Sequence, residues 1–265
     1  MSNVIFYFTG TGNSLYAAKK ISEKLSGETS LIPIAAYAEK GFAVSSADYV
    51  GIVFPVYAWG PPLIVKSFIK NLNVEQCQYF FITLTFGGSS GNAAGITEKM
   101  LKKRNISCNG IFEVIMPSNY IVLYNAPDSD KSKKVLKKAK KNILRAAEAI
   151  RRKKEVFVRK NFFSRILSAA AYSFFGMGAK KMGRNFKVTD ACNGCGICQD
   201  ICPVENIQLD GDRKPGWLDH CEQCVACIHC CPEEAIQYKS RTKERNRYHH
   251  PEITVEDMKK QKNGI

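Results

Sequence analysis

The chain has 265 residues, 45% of them hydrophobic, which is enough for two modest domains with cores of their own. Its net charge of +15 divides as +12 over residues 1–154, +6 over 155–187 and −3 over 188–265. No run of about 18 apolar residues is free of charge, so no transmembrane helix is expected, and no aromatic-interleaved basic stretch or zinc-finger spacing points to nucleic acid.

Met1–Phe8 has no positive n-region, so a signal peptide is not expected either. The expected compartment is the cytoplasm, where thiols stay reduced, so the 11 cysteines read as metal ligands or free thiols rather than disulfides. The lysine-rich first part reads as a solvated face or a surface for an acidic partner.

Strands and helices alternate from the N-terminus. Val4–Phe8, Leu31–Ile34, Tyr49–Pro55, Tyr79–Thr85 and Ile111–Met116 read as strands. Asn13–Leu25, Leu63–Asn71, Asn92–Lys103 and Lys131–Lys154 read as helices, the last with Leu136, Ala139, Ile143, Ala147 and Ile150 on one face. This alternation predicts a doubly wound α/β domain with a parallel sheet over residues 1–154. Residues 155–187 form a basic, aromatic connector expected to pack its Phe and Tyr side chains between domains. Its stretch Phe162–Ala179, interrupted by Arg165, is the one place where contact with a membrane surface is conceivable. A cysteine-rich unit follows over 188–240. The polar tail 241–265, with Asn246–Ile253 reading "NRYHHPEI", is expected to wrap the surface.

The cysteines carry the strongest signal. Cys192, Cys195, Cys198 and Cys202 follow C-x2-C-x2-C-x3-C before Pro203, and Cys221, Cys224, Cys227 and Cys231 repeat it before Pro232. This is the bacterial spacing for two [4Fe–4S] clusters, in which the fourth cysteine of each run crosses to the other cluster. The expected ligand sets are therefore Cys192, Cys195, Cys198 and Cys231 for one, and Cys221, Cys224, Cys227 and Cys202 for the other. Structural zinc pairs two C-x2-C hooks at longer intervals and does not call for the third and fourth cysteines. Cys77 and Cys108 read as ordinary thiols, and Cys230 as a non-ligand beside Cys231. His220 and His229 flank the second run and read as packed or solvated side chains.

The loop Thr9-Gly10-Thr11-Gly12-Asn13-Ser14 ends the first strand and opens a helix, an arrangement that binds anions. It lacks the Lys of a P-loop, the third Gly of a dinucleotide fingerprint and an acid after the second strand. A flavin mononucleotide phosphate, held by hydroxyls and amides, is the remaining reading. On these residues the loop resembles the flavodoxin phosphate loop, and residues 1–154 are similar to a flavodoxin domain. The resemblance implies a sheet order of 2-1-3-4-5. It also implies two further flavin-contacting loops: Pro55–Pro62, with Trp59 and Gly60 and secondarily Tyr57, and Thr85–Asn92, with Thr85, Phe86, Gly87 and Gly88. Ser14-Leu15 stands where the family has Thr-Glu, and the domain is basic where free flavodoxins are acidic. The whole chain resembles the fused flavodoxin–ferredoxin proteins of anaerobic bacteria, the second part being a small α+β ferredoxin-like domain with two clusters.

The resemblance implies an iron–sulfur flavoprotein that exchanges electrons between FMN and two [4Fe–4S] clusters and serves an external redox partner protein. The alternative is an FMN-dependent reductase of a small molecule fed by the clusters, with Tyr57, Ser118 and Tyr120 as weak proton-donor candidates. A third reading gives the clusters a structural or sensing role. Low cluster potentials are expected from the concentration of thiolates and from Asp190, Asp200, Asp210, Asp212, Asp219 and Glu222 nearby in sequence.

Overall fold

The computed structural model describes residues 2–158 and 160–262. Its larger part is a five-stranded sheet in the order β2-β1-β3-β4-β5, with every pairing parallel. The strands are β1 (Ser2–Tyr7), β2 (Glu28–Pro33), β3 (Phe42–Pro55), β4 (Leu72–Phe86) and β5 (Gly110–Ile115). The helices between them are α1 (Asn13–Ser22), α2 (Leu63–Asn71) and α3 (Ala93–Lys102), with α4 (Ser129–Arg151) closing the domain.

Alternation along the strands sends side chains to two cores. Ile5, Tyr7, Val53 and Phe81 pack against Leu15 and Ile21 of α1 and Ile143 and Ala147 of α4. Phe6, Phe8, Ile52, Phe54 and Phe80 pack against Ile64 and Phe68 of α2 and Leu101 of α3. Burial on both faces explains the near-continuous apolar runs that mark the strands in the sequence. β3 and β4 run further back than those runs, because Phe42–Ala47 pairs with Leu72–Cys77 in a half-exposed extension. That extension mixes polar and apolar residues and carries no long apolar run.

The sheet order reverses between β1 and β3, so the loops after these strands diverge to opposite faces and leave a crevice at their C-terminal ends, where ligands bind in such sheets. After α5 (Phe162–Gly178) and a 3-10 turn come β6 (Phe186–Val188), α6 (Ile197–Asp200), β7 (Ile207–Leu209), β8 (Pro215–Trp217), α7 (Ala226–His229), β9 (Ile236–Tyr238) and α8 (Val255–Lys259). β6 pairs antiparallel with β9, and β7 with β8.

Two segments differ from the sequence expectation. The connector helix α5 buries only part of its aromatic content between the parts of the chain: Phe162, Phe163, Phe174 and Met177 are about three-quarters exposed. No helix of the described residues is long and apolar enough to cross a membrane. The tail, expected on the surface, is instead anchored. Tyr248, His250, Ile253, Met258 and Gln261 are buried, and Asp257 of α8 pairs with Lys19 of α1 at 2.9 Å. A few apolar side chains spaced through a polar segment suffice to seat it.

Candidate cofactor sites

The eight repeated cysteines surround two cavities. One is lined by Cys192, Cys195, Cys198 and Cys231, the other by Cys202, Cys221, Cys224 and Cys227. The crossing of the fourth cysteine is thus present in the backbone, through contact of α6 with α7. Among the described residues no three His, Cys, Asp or Glu side chains converge on a single-ion site, so each quartet rings a space instead of meeting at a point.

The two runs repeat in conformation as well as in sequence. Gly194 and Gln223, Gly196 and Val225, and Glu205 and Glu234 occupy equivalent positions, and all six have positive φ. Asn206 N–H donates to Cys202 Sγ at 3.2 Å, and Ala235 N–H to Cys231 Sγ at 3.3 Å. Val225 at φ 54 is a β-branched residue in the left-handed region, where the side chain is disfavoured. Its partner position uses Gly196, so the loop shape is retained at Val225 at a cost in strain.

The donor chemistry fits clusters. Burial pushes the Cys221 thiol up to about 12 and the Cys198 thiol up to about 11, so thiolates here require a cation or hydrogen-bond donors. Asn206 Nδ2 and Trp217 Nε1 are buried without partners, and both residues line the second cavity. Such orphan donors suit anionic sulfur. Cys230 lies outside both rings, in the core with Ile201 and Ile253. His229 is buried and ligates nothing: its Nδ1 accepts from Tyr248 N–H at 3.0 Å, which leaves Nε2–H to donate to Asn119 O at 2.7 Å. His220 is half-buried, and its N–H donates to Asn206 Oδ1.

The charges around the first ring differ from the acidic surroundings read from the chain. Arg213 lines that cavity and its Nε donates to Gly194 O at 2.8 Å, while Lys214 Nζ donates to Cys192 O. Asp219 is paired with Arg184, and Asp200 with Lys259. Glu233 lines the same cavity and accepts from Asn193 Nδ2 at 3.0 Å, so the charges bordering the first ring are mixed, two cations and one carboxylate. With a cluster held in that ring, Arg213→Gln is expected to lower its reduction potential by tens of millivolts, as followed by a redox titration under EPR.

The phosphate loop is fully buried from Thr9 to Ser14. Gly12, at φ 91, turns the chain into α1, and a Cβ there would meet Ile253 Cβ at 2.9 Å. Thr9 Oγ1 accepts from Gly12 N–H, and Thr11 Oγ1 accepts from Asn119 Nδ2. Both hydroxyls therefore keep their own proton to donate. Ser14 Oγ and Thr85 Oγ1 share one hydrogen bond at 2.7 Å, which also leaves one proton free. The amides of Gly10, Thr11, Asn13, Ser14 and Leu15 find no acceptor among the described residues. Buried N–H groups without acceptors at a helix N-terminus fit a phosphate.

The other two loops lie beside this cradle. Tyr57 and Gly60 exchange backbone hydrogen bonds around Ala58 and Trp59, both at positive φ. The Tyr57 hydroxyl reaches Gly10, standing 3.0 Å from where a Cβ would be. Trp59 packs on Gly91, and Gly87 faces Ser118. Phe86 is half-buried, and Gly88 is exposed with open space around its Cα. Above them lies α5: Tyr172 packs on Gly60, Ser168 Oγ accepts from Asn92 N–H, and Phe175 meets Tyr57 edge-on at 6.4 Å. The aromatic composition of the connector points to packing of its Phe and Tyr side chains, but not to the loops they would cover.

The second cysteine ring abuts the same place. Cys224 O stands 2.5 Å from the position of a Cβ on Gly10, so only glycine admits this approach. Glu222 is buried, and its Oε2 accepts from Ile64 N–H in the first turn of α2. Burial pushes its carboxyl up to about 7, against the opposing pull of that hydrogen bond and Lys180.

An α/β domain with an anion loop at its switch point, joined to a two-run cysteine domain, has the architecture of a fused flavodoxin and ferredoxin. The flavodoxin domain family matches residues 4–152, and the 4Fe-4S binding domain family matches residues 186–208. The chain belongs to the flavodoxin domain family, with a 4Fe-4S domain following. No curated protein matches it. Solved structures with similarity include an FMN-dependent NADH-azoreductase from Bacillus anthracis, at 12% identity over 57% of this chain and 100% of that one, TM-score 0.38. An NAD(P)H:quinone oxidoreductase from Methanothermobacter marburgensis matches at 12% identity over 60% and 98%, TM-score 0.36. The Trp repressor binding protein from Bacillus subtilis matches at 14% identity over 54% and 97%, TM-score 0.33.

Proposed function

We propose that this chain is an electron-transfer unit that holds FMN and two [4Fe–4S] clusters and exchanges electrons with an external redox protein. Thr9–Ser14 would hold the flavin phosphate, with Tyr57, Trp59, Gly60 and Thr85–Gly88 beside the rest of the cofactor. The two cysteine rings would hold the clusters. When bound, these groups supply one-electron chemistry, with a two-electron capacity at the flavin; the chain supplies position and potential.

The observation that carries this reading is the approach of Cys224 O to Gly10. It sets a ligand loop of the inner ring directly against the flavin phosphate loop. Glu222 fixes the same loop to the start of α2, so the approach is held from both sides. The other ring has an exposed Cys195 and faces outward. This placement supports the order flavin, inner ring, outer ring, partner. The alternative, direct reduction of a small molecule at the flavin, calls for open space beside the loops, and Ser168 and Tyr172 of α5 take up part of it.

Anaerobic purification with extraction of flavin and assay of iron and sulfide tests the reading. The expected result is FMN with about eight irons and eight sulfides per chain. Full clusters without any flavin would overturn it. About four irons would overturn the two-cluster count.

A further inference from the structure

We propose that the C-terminal tail is a strap over the phosphate loop, in which Gln261 Nε2 and His250 Nε2 donate to the flavin phosphate. This rests on the FMN reading above and extends it to residues at the far end of the chain. Gln261 is 1% exposed and its Oε1 accepts from Thr9 N–H at 2.9 Å. An N–H can only donate, so that oxygen is fixed and Nε2 is the free end of the same amide. Nε2 is buried without a partner. It is thus an orphan donor held at the first residue of a loop whose amides are also orphaned.

His250 is attached further along the loop, at Thr11 and Gly12. Its N–H donates to Thr11 O at 2.8 Å, and its Cβ is 3.0 Å from the Cβ position of Gly12. The ring stacks on Tyr16 of α1 with centroids 4.0 Å apart. Glu252 N–H donates to Nδ1, so the ring proton belongs on Nε2, and that atom too is buried without a partner. Tyr248 adds a third attachment, its hydroxyl donating to Asn13 Oδ1 at 2.7 Å. A surface tail that merely filled a groove would not bring two buried, unpaired donors to an anion cradle. Unpaired buried donors are costly, and one anion would satisfy both together with the loop amides.

The test uses the full chain with its clusters, stripped of flavin, and measures binding of FMN and of riboflavin by fluorescence quenching. Riboflavin lacks only the phosphate. Gln261→Glu keeps the oxygen for Thr9 N–H and replaces the donor with a second carboxylate oxygen. It is expected to weaken FMN by about tenfold or more, while riboflavin changes by less than about twofold. His250→Phe keeps the stacking on Tyr16 and removes the donor, and should shift the same ratio in the same direction. Iron content at the wild-type level shows that the variants fold. If wild type binds FMN and both variants keep its FMN-to-riboflavin ratio, the strap is overturned and the flavin reading stands. If wild type binds no flavin, the flavin reading falls and the strap with it.

Discussion

Cys231→Ser is expected to empty the outer ring of iron although the three other cysteines of that ring lie 33 to 39 residues earlier in the sequence. Cys231 belongs to the second cysteine run, yet it closes the cavity formed by Cys192, Cys195 and Cys198. The inner ring keeps Cys202, Cys221, Cys224 and Cys227. Iron should fall from about eight to about four per chain. Cys230, next in the chain, cannot take over: it is buried in the core with Ile201 and Ala226, and burial pushes its thiol up to about 11. Cys202→Ser should do the reverse, sparing the outer ring and emptying the inner one. The two variants then separate the roles of the rings. With the inner cluster retained, Cys231→Ser should still pass electrons between flavin and cluster but lose exchange with the external partner. Cys202→Ser should lose flavin–cluster exchange. Iron assay, EPR and rapid-mixing absorbance read all of these. Loss of the inner cluster on Cys231→Ser would show that each run holds its own cluster.

The parts of the site legible in the sequence are those whose geometry is local. A cysteine run with x2 spacing turns its sulfurs inward wherever it occurs, and the repeat of that run 29 residues later specifies a second ring. The phosphate loop is legible for the same reason, since strand, glycine turn and helix start are consecutive. What was not legible is what packs on these loops. The hydrogen bond from Thr9 to Gln261 spans 252 positions, and no pattern in a polar tail announces it. The connector is expected to pack its Phe and Tyr side chains, but nothing in its sequence places Tyr172 on Gly60 or Ser168 beside Gly91. Counting acids around the cysteines suggested a uniformly negative setting. The fold brings Arg213 and Lys214 onto the outer loop and pairs two of those acids with cations. Net charge in a segment does not say which side chain faces the ligand.

In the flavin-free chain, acid should loosen the tail before it unfolds the sheet. His229 and His250 are both buried, and burial is the main cause that pulls each imidazole down to about 4. For His229 the Asn119 carbonyl opposes that shift, while Arg247 and His249 add to it; for His250 it is His249 that adds. Each ring also uses Nδ1 as an acceptor, from Tyr248 N–H and Glu252 N–H respectively. Protonation would set a second donor against each of those amides. In the unfolded chain both rings titrate near pH ~6.5. Between about pH 6.5 and pH 4 the unfolded state therefore binds more protons, and stability falls as pH falls through that window. The contribution is complete above it, and amounts to up to roughly 3 kcal/mol per histidine. Both histidines bond segment 248–252, one of them linking it to Asn119 as well, so this segment should open first. Hydrogen exchange of residues 248–261 is expected to speed up on going from pH 7.5 to 5 while β1, β3 and β4 stay protected. Urea unfolding over the same range should show His250→Phe losing about one of the two protons of pH dependence. An unchanged slope in that variant would mean that His250 is not held neutral by its burial.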